Sequence, residues 1–239
     1  MGGVPFWATR ALNTVGWIHG ELEDPLGAMD WNRRGIAAAI EADFPDPEVE
    51  NNARLNFADN LMALGRLDEA EEQLQQVEAV VRDPTPAQRL DLWRYSQHLF
   101  HTYGALWLVR GDTAKTLKLT ERCLELAEPG RSPRYVSKAR CLRAQVFLRS
   151  GKLAESEAEL KIALEKARLL GNPPQLWRTL VVLGDLQSAQ DQTDPAREAR
   201  LEALAVIEGV AADLEDASLA DTLLRSSYVG AIRAATGAR

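Results

Sequence analysis

Cysteine is nearly absent: the chain has two, Cys123 and Cys141, in 239 residues. Two thiols cannot build a disulfide framework or a cysteine-rich zinc module. Buried free thiols in a reducing cytoplasm are the expectation. Histidine is equally scarce, with His19, His98 and His101 alone, and nothing singles one out for a Ser/His/Asp triad. No apolar run approaches the ~20 residues that a membrane helix needs. The start, Met-Gly-Gly-Val-Pro-Phe-Trp, has no basic region followed by an apolar core, so no secretory signal is read. Phe6 stands where a myristoylation motif needs Ser or Thr. Phosphate loops of the Gly-x-x-x-x-Gly-Lys-Ser/Thr and Gly-x-Gly-x-x-Gly types are missing, as is a Gly-x-Ser-x-Gly elbow. No strand pattern occurs. Positive charge is in deficit: 28 Lys and Arg against 35 Asp and Glu give a net charge of −7. Such a balance argues against a general nucleic-acid or anionic-membrane binder, because phosphate binding needs clustered positive charge. These absences predict a cytoplasmic protein that is not an enzyme and uses no cofactor or metal.

What the sequence does have is an internal repeat. Five breaks interrupt apolar-periodic stretches: Leu22-Glu23-Asp24-Pro25, Leu64-Gly65-Arg66-Leu67, Arg110-Gly111-Asp112-Thr113, Ser150-Gly151-Lys152-Leu153 and Gln190-Asp191-Gln192-Thr193. Their spacings are 42, 46, 40 and 40 residues. Seven residues before the second residue of each break stand Gly16, Ala58, Gly104, Ala144 and Gly184. Five residues after it stand Ala28, Ala70, Thr116, Ser156 and Ala196. Both columns are small throughout, as two antiparallel helices require where they cross closely. Three residues after the first small column come His19, Leu61, Trp107, Phe147 and Gln187, mostly large fillers.

The periodicity predicts helices over 5–22, 26–42, 48–64, 67–81, 86–110, 113–128, 133–150, 153–170, 174–190 and 194–213. Pro45 and Pro47, Pro84 and Pro86, Pro129 and Gly130, and Gly171-Asn172-Pro173-Pro174 punctuate between repeats. Asp112 and Asp194 stand near helix N-termini, where a carboxylate suits the unpaired N–H groups. The stretch 216–236 carries Leu219, Leu223, Leu224, Val229 and Ile232 at helical spacing. It reads as a helix capping the open end of the array.

The order small residue, large residue, turn, small residue resembles the tetratricopeptide repeat (TPR) family over residues 8–210. These units are longer than the family's usual ~34 residues. The resemblance implies an all-α fold, an α-solenoid of about five antiparallel helix pairs in a right-handed superhelix with a C-terminal cap. The whole chain, 1–239, reads as one domain with repeats at 8–46, 47–85, 86–130, 131–172 and 173–213. The segment from Asp216 to Ser227 resembles the tail of helical arrays in large bacterial regulators, where ATPase or cyclase modules precede the array.

In the family, the first helix of each pair lines a concave binding face. Carried over by position, that face holds Arg10, Asn13 and Trp17, then Asn52 and Asp59, then His98 and His101. Lys138, Gln145 and Arg149 follow, and finally Arg178 and Asp185. Arg10, Lys138, Arg149 and Arg178 suit a carboxylate or acidic peptide. The Asn by which chaperone-tail clamps hold their ligand is missing from the column of Trp17, Asp59, Ala105, Gln145 and Asp185. His98 and His101 share a helix face, but no supporting ligand stands near them in that helix, so they read as groove residues rather than a metal pair. The acidic groups Asp68, Glu69, Glu71, Glu72 and Glu155, Glu157, Glu159 read as solvated outer faces. The implied function is a non-enzymatic scaffold binding an unidentified protein or peptide. Two other readings stand beside it: a small-molecule-sensing module of a larger regulator, and self-assembly through the first helix pair by way of Val4, Phe6, Trp7 and Leu12.

Overall fold

A computed structural model describes residues 6–42, 46–89 and 91–237. Thirteen helices and no strand occur among them: α1 (Phe6–Glu21), α2 (Pro25–Glu41), α3 (Pro47–Ala63), α4 (Leu67–Arg82), α5 (Pro86–Arg89), α6 (Leu92–Val109), α7 (Thr113–Ala127), α8 (Pro133–Arg149), α9 (Leu153–Leu170), α10 (Pro173–Ala189), α11 (Thr193–Asp213), α12 (Ala217–Arg225) and α13 (Ser227–Thr236). They fall into two compact units, residues 1–106 and 107–239, with the division inside α6. In the first unit α1 packs on α2 and α3, and α3 on α4. In the second, α8 packs on α7, α9 and α10, α11 packs on α10, and α12 and α13 cover α11.

The five predicted breaks share one backbone geometry. The second residue of each is left-handed: Glu23 (φ 60°), Gly65 (φ 73°), Gly111 (φ 84°), Gly151 (φ 69°) and Asp191 (φ 60°). The N–H of the next residue then reaches back across the turn to the carbonyl of the large-residue column. Asp24 donates to His19 at 3.0 Å, Arg66 to Leu61 at 2.8 Å, Asp112 to Trp107 at 2.9 Å, Lys152 to Phe147 at 2.9 Å and Gln192 to Gln187 at 2.8 Å. This six-to-one bond is the Schellman closure of a helix C-terminus. It satisfies carbonyls the helix leaves over and aims the chain into the second helix. Asp24 and Asp112 then cap that helix, accepting from the N–H groups of Gly27 and Lys115. Asp194 caps nothing: it lies in the first turn of α11, and the cap position, Gln192, makes no side-chain bond.

All ten small-column residues are buried. Where they meet, backbones nearly touch. The Ser156 hydroxyl donates to the Ala144 carbonyl at 2.9 Å. A Cβ on Gly184 would stand 3.1 Å from the Ala196 carbonyl, and one on Gly16 3.1 Å from the Asn32 nitrogen. Around the Ala144 crossing, Cys141, Leu160, Ala163, Val182 and Leu186 form a core shared by α8, α9 and α10.

Two expectations need correction. The helix predicted over 86–110 is broken into α5 and α6. Asp91 opens α6, its carbonyl accepting from the Arg94 N–H at 2.9 Å, a start signal hidden inside an apolar-periodic stretch. The predicted capping helix is two helices, because Ser226 takes an extended ψ of 150° and its hydroxyl caps the Val229 N–H. The expected apolar contacts remain, with Leu223, Val229 and Ile232 buried.

Two glycines separate the effect of φ from that of space, since a Cβ at Gly151 or Gly209 meets nothing within 4 Å. Gly151→Ala forces a left-handed alanine and lowers unfolding free energy by about 1 kcal/mol. Gly209→Ala, inside α11, raises it by about 0.5 kcal/mol. Urea unfolding of the two variants reads both signs.

Candidate functional site

In the first unit, the first helices α1 and α3 pack side by side, and their polar residues largely engage one another. Arg10 of α1 donates to Asp46 (3.0 Å), the N-cap of α3, and to Glu48 (2.8 Å) in its first turn. Arg94 of α6 holds the other oxygen of Glu48 at 2.9 Å. Burial pushes the Glu48 carboxyl up, but hydrogen bonds from Arg10 and Arg94 outweigh it and hold the group below its ordinary value. The hydrogen bond to Glu48 likewise raises Arg10, against the opposing effect of burial. Asn13 accepts from Asn56 of α3 at 2.9 Å. Asn52 donates to the Glu48 carbonyl at 3.0 Å, and the Trp17 indole to Glu21 at 3.0 Å.

Asp59 and His98 are brought together, Oδ2 to Nε2 at 2.8 Å. His98 is buried, and His101, one turn on, is half-buried. The two histidines therefore do not stand together in an open groove: His98 is a partner of α3. No group of three or more His, Cys, Asp or Glu able to hold a metal ion occurs among the described residues.

The second unit places Lys138 and Gln145 on α8 and Arg178 and Asp185 on α10, its packed neighbour. Lys138, Gln145 and Arg178 are half-buried, whereas Arg149 and Asp185 are exposed. Arg149 donates to the Leu108 carbonyl, and Asp185 is held by Arg200 of α11 at 2.8 Å. One acidic group read as solvated is not: Glu159 is buried on α9, gripped by Arg140 at 3.0 Å and Arg143 at 3.1 Å from α8. Its neighbours Glu155 and Glu157 are exposed, as are Asp68, Glu69 and Glu72, while Glu71 is half-buried. Neither cysteine is in a disulfide, and both are buried. Burial pushes Cys123 up to about 12, against a small opposing effect of Lys138. Burial likewise pushes Cys141 up to about 11, against hydrogen bonds with Thr179 and Gln145.

Sequence position alone missed Glu48 and Arg200, which engage Arg10 and Asp185, and Arg94, which holds Glu48 in turn. For Glu48 a signal existed, an acid directly after Pro47 at a helix start, but it reads equally as a favourable dipole contact. No helix of the described residues is long and apolar enough to cross a membrane.

No protein-family model matches the chain, and no curated protein matches its sequence. Solved structures do match its fold. BtubC (BKLC) from P. vanneervenii aligns with a TM-score of 0.57 at 13% identity, covering 85% of this chain and 81% of that one. The thermophilic TPR protein TTC0263 of Thermus thermophilus aligns with a TM-score of 0.56 at 17% identity, over 92% of this chain and 98% of that one. A single-residue variant of the TPR-like repeats of a Podosopora anserina kinesin light chain aligns with a TM-score of 0.50 at 16% identity, over 84% and 95%. The fold is an all-α, TPR-like helical repeat.

Glu48 sets an acid limb to stability. Its folded value is depressed, so its contribution is complete above the ordinary carboxylate range and is lost as pH falls through the depressed value. Arg94→Ala removes one of the two grips and costs about 1 kcal/mol at neutral pH. The gap to wild type closes as pH falls below the carboxylate range, read as Tm against pH. The raised thiols make a second expectation: native protein gives no reaction with Ellman's reagent at neutral pH, and denatured protein gives two thiols per chain.

Proposed function

We infer that this chain, having the fold of TPR-like repeat proteins, is a non-enzymatic interaction scaffold that binds a peptide or helix along its first helices. The observation that carries the reading lies in the second unit. Lys138 and Arg178 occupy the same repeat position on α8 and α10, which pack against each other. Stacked helix pairs offer an extended face for a chain-like ligand. Partly buried cations in register on two neighbouring helices suit carboxylates spaced along an acidic peptide. Gln145 of α8 adds an amide able to donate and accept. The ligand face is therefore drawn along α8 and α10, where Arg149 and Asp185 frame it. The scaffold acts in the cytoplasm, and its partner is a protein rather than a nucleic acid, in keeping with the net charge of −7.

The test is affinity capture with the purified chain, followed by anisotropy with synthetic peptides from the captured proteins. Lys138→Glu combined with Arg178→Glu weakens peptide binding by about tenfold or more, with circular dichroism unchanged. Binding of full strength by that folded variant overturns the assignment.

A further inference from the structure

Of the residues expected to pair α1 with a second copy, Leu12 turns toward α2, where a Cβ on Gly35 would stand 3.7 Å from the Leu12 Cβ. Val4 and the Phe6 side chain lie outside the described residues.

The helix crossings divide into two kinds. Four residues after the second small column stand Asn32, Leu74, Thr120, Leu160 and Arg200. Where the first small column holds alanine, at Ala58 and Ala144, this residue is leucine. Where it holds glycine, at Gly16, Gly104 and Gly184, this residue is polar. Space explains the pairing at both ends of the series. A Cβ on Gly16 would run into the Asn32 amide, and one on Gly184 would stand 2.9 Å from the Arg200 Cγ and 3.2 Å from its Nε. Asn32 and Thr120 end inside the fold, fully buried. Arg200 is long enough to pass over Gly184 and reach exposed residues of α10. Its Nη2 donates to Asp185 Oδ1 at 2.8 Å and its Nη1 to Ser188 Oγ at 3.1 Å. The Ser188 hydroxyl donates in turn to the Gly184 carbonyl at 2.9 Å, which leaves its oxygen to accept from Arg200. The Arg200 side chain is 13% exposed and that of Asp185 51%. The arginine is thus held in place while the acid it holds stays open to solvent. Asp185 also follows Arg178 by seven residues on α10, on the same face and about 10 Å along the helix.

We propose that Arg200 is a specificity-determining residue, a cation from the second helix of the pair that cancels Asp185 so that an acidic peptide can run along α10. The inference rests on the reading of α8 and α10 as the ligand face. Without Arg200, a peptide whose carboxylates lie along Arg178 meets a bare carboxylate two turns on. Like charges set close together are a means of excluding a partner. With Arg200 in place the pair is neutral as a unit, and Lys138 and Arg178 set the sign of the face. The absent Cβ of Gly184 is what lets a residue of α11 act on the face of α10.

Fluorescence anisotropy with two labelled peptides tests this at low salt. One probe alternates glutamate with alanine, the other lysine with alanine. Arg200→Gln keeps the Cγ that lies over Gly184 and removes the charge, and circular dichroism checks its fold. Wild type prefers the glutamate probe. Arg200→Gln lowers that preference, read as the ratio of the two dissociation constants, by about tenfold. Adding Asp185→Asn restores it, because the charge balance returns, and Asp185→Asn alone raises it. Three results overturn the inference: a wild type without the preference, an unchanged ratio in Arg200→Gln, or a loss that Asp185→Asn does not restore, which makes Arg200 only a brace between α11 and α10. Lys138→Glu with Arg178→Glu tells its failure from that of the ligand face. Where that variant loses the glutamate probe and Arg200→Gln keeps the preference, the ligand face stands and this inference alone falls. Where that variant binds the glutamate probe at full strength, both fall.

Discussion

Two helices can lie in close contact only where neither puts bulk at the crossing, and nearly every other feature of this chain follows from meeting that condition repeatedly. A hydroxyl touching the facing carbonyl, as Ser156 does at Ala144, marks how little room remains. The turn between the helices must then return the chain at short range without leaving carbonyls unsatisfied. One left-handed residue and one backward hydrogen bond do so in every repeat. The bond ends on the carbonyl of the large-residue column, so one residue both fills the groove with its side chain and anchors the turn with its backbone. Column spacing and turn geometry are thus two expressions of one local structure.

This coupling explains what could be read without a structure. Small residues at fixed distances from a break cannot be explained by chance apolarity, so the helix pairs and their limits were legible to within a residue or two. Gly65, Gly111 and Gly151 announced their turns by identity, and Glu23 and Asp191 only by register with them. The two misread boundaries, at Asp91 and Ser226, are places where a polar residue starts a new helix inside an unbroken apolar rhythm. Periodicity counts faces and is blind to such a restart.

The candidate site was less legible for a different reason. Repeat position says which helix a residue belongs to and which way it faces. It does not say what stands opposite. Arg10 meets acids 36 and 38 residues away, and Glu159, one of a run of acids that looks solvated, meets two arginines of the neighbouring helix. Such pairings depend on the register of one helix against another, which a single sequence leaves open. The first unit uses its groove charges to hold α1, α3 and α6 together. In the second, Arg149 reaches the Leu108 carbonyl and Arg200 of α11 holds Asp185 of α10.

The five turns are alike in shape but not in backbone strain. Three use glycine, which enters the left-handed region freely, whereas Glu23 and Asp191 each lose about 1 kcal/mol or more by being there. Both lie at the outer ends of the series, in the α1–α2 and α10–α11 turns. Aspartate tolerates the conformation better than glutamate, and Arg131 between α7 and α8 is left-handed as well (φ 50°). Among the five, the α1–α2 turn therefore carries the most backbone strain. One turn shape thus serves all five helix pairs at unequal backbone energy, set by whether glycine or a residue with a Cβ occupies the left-handed position.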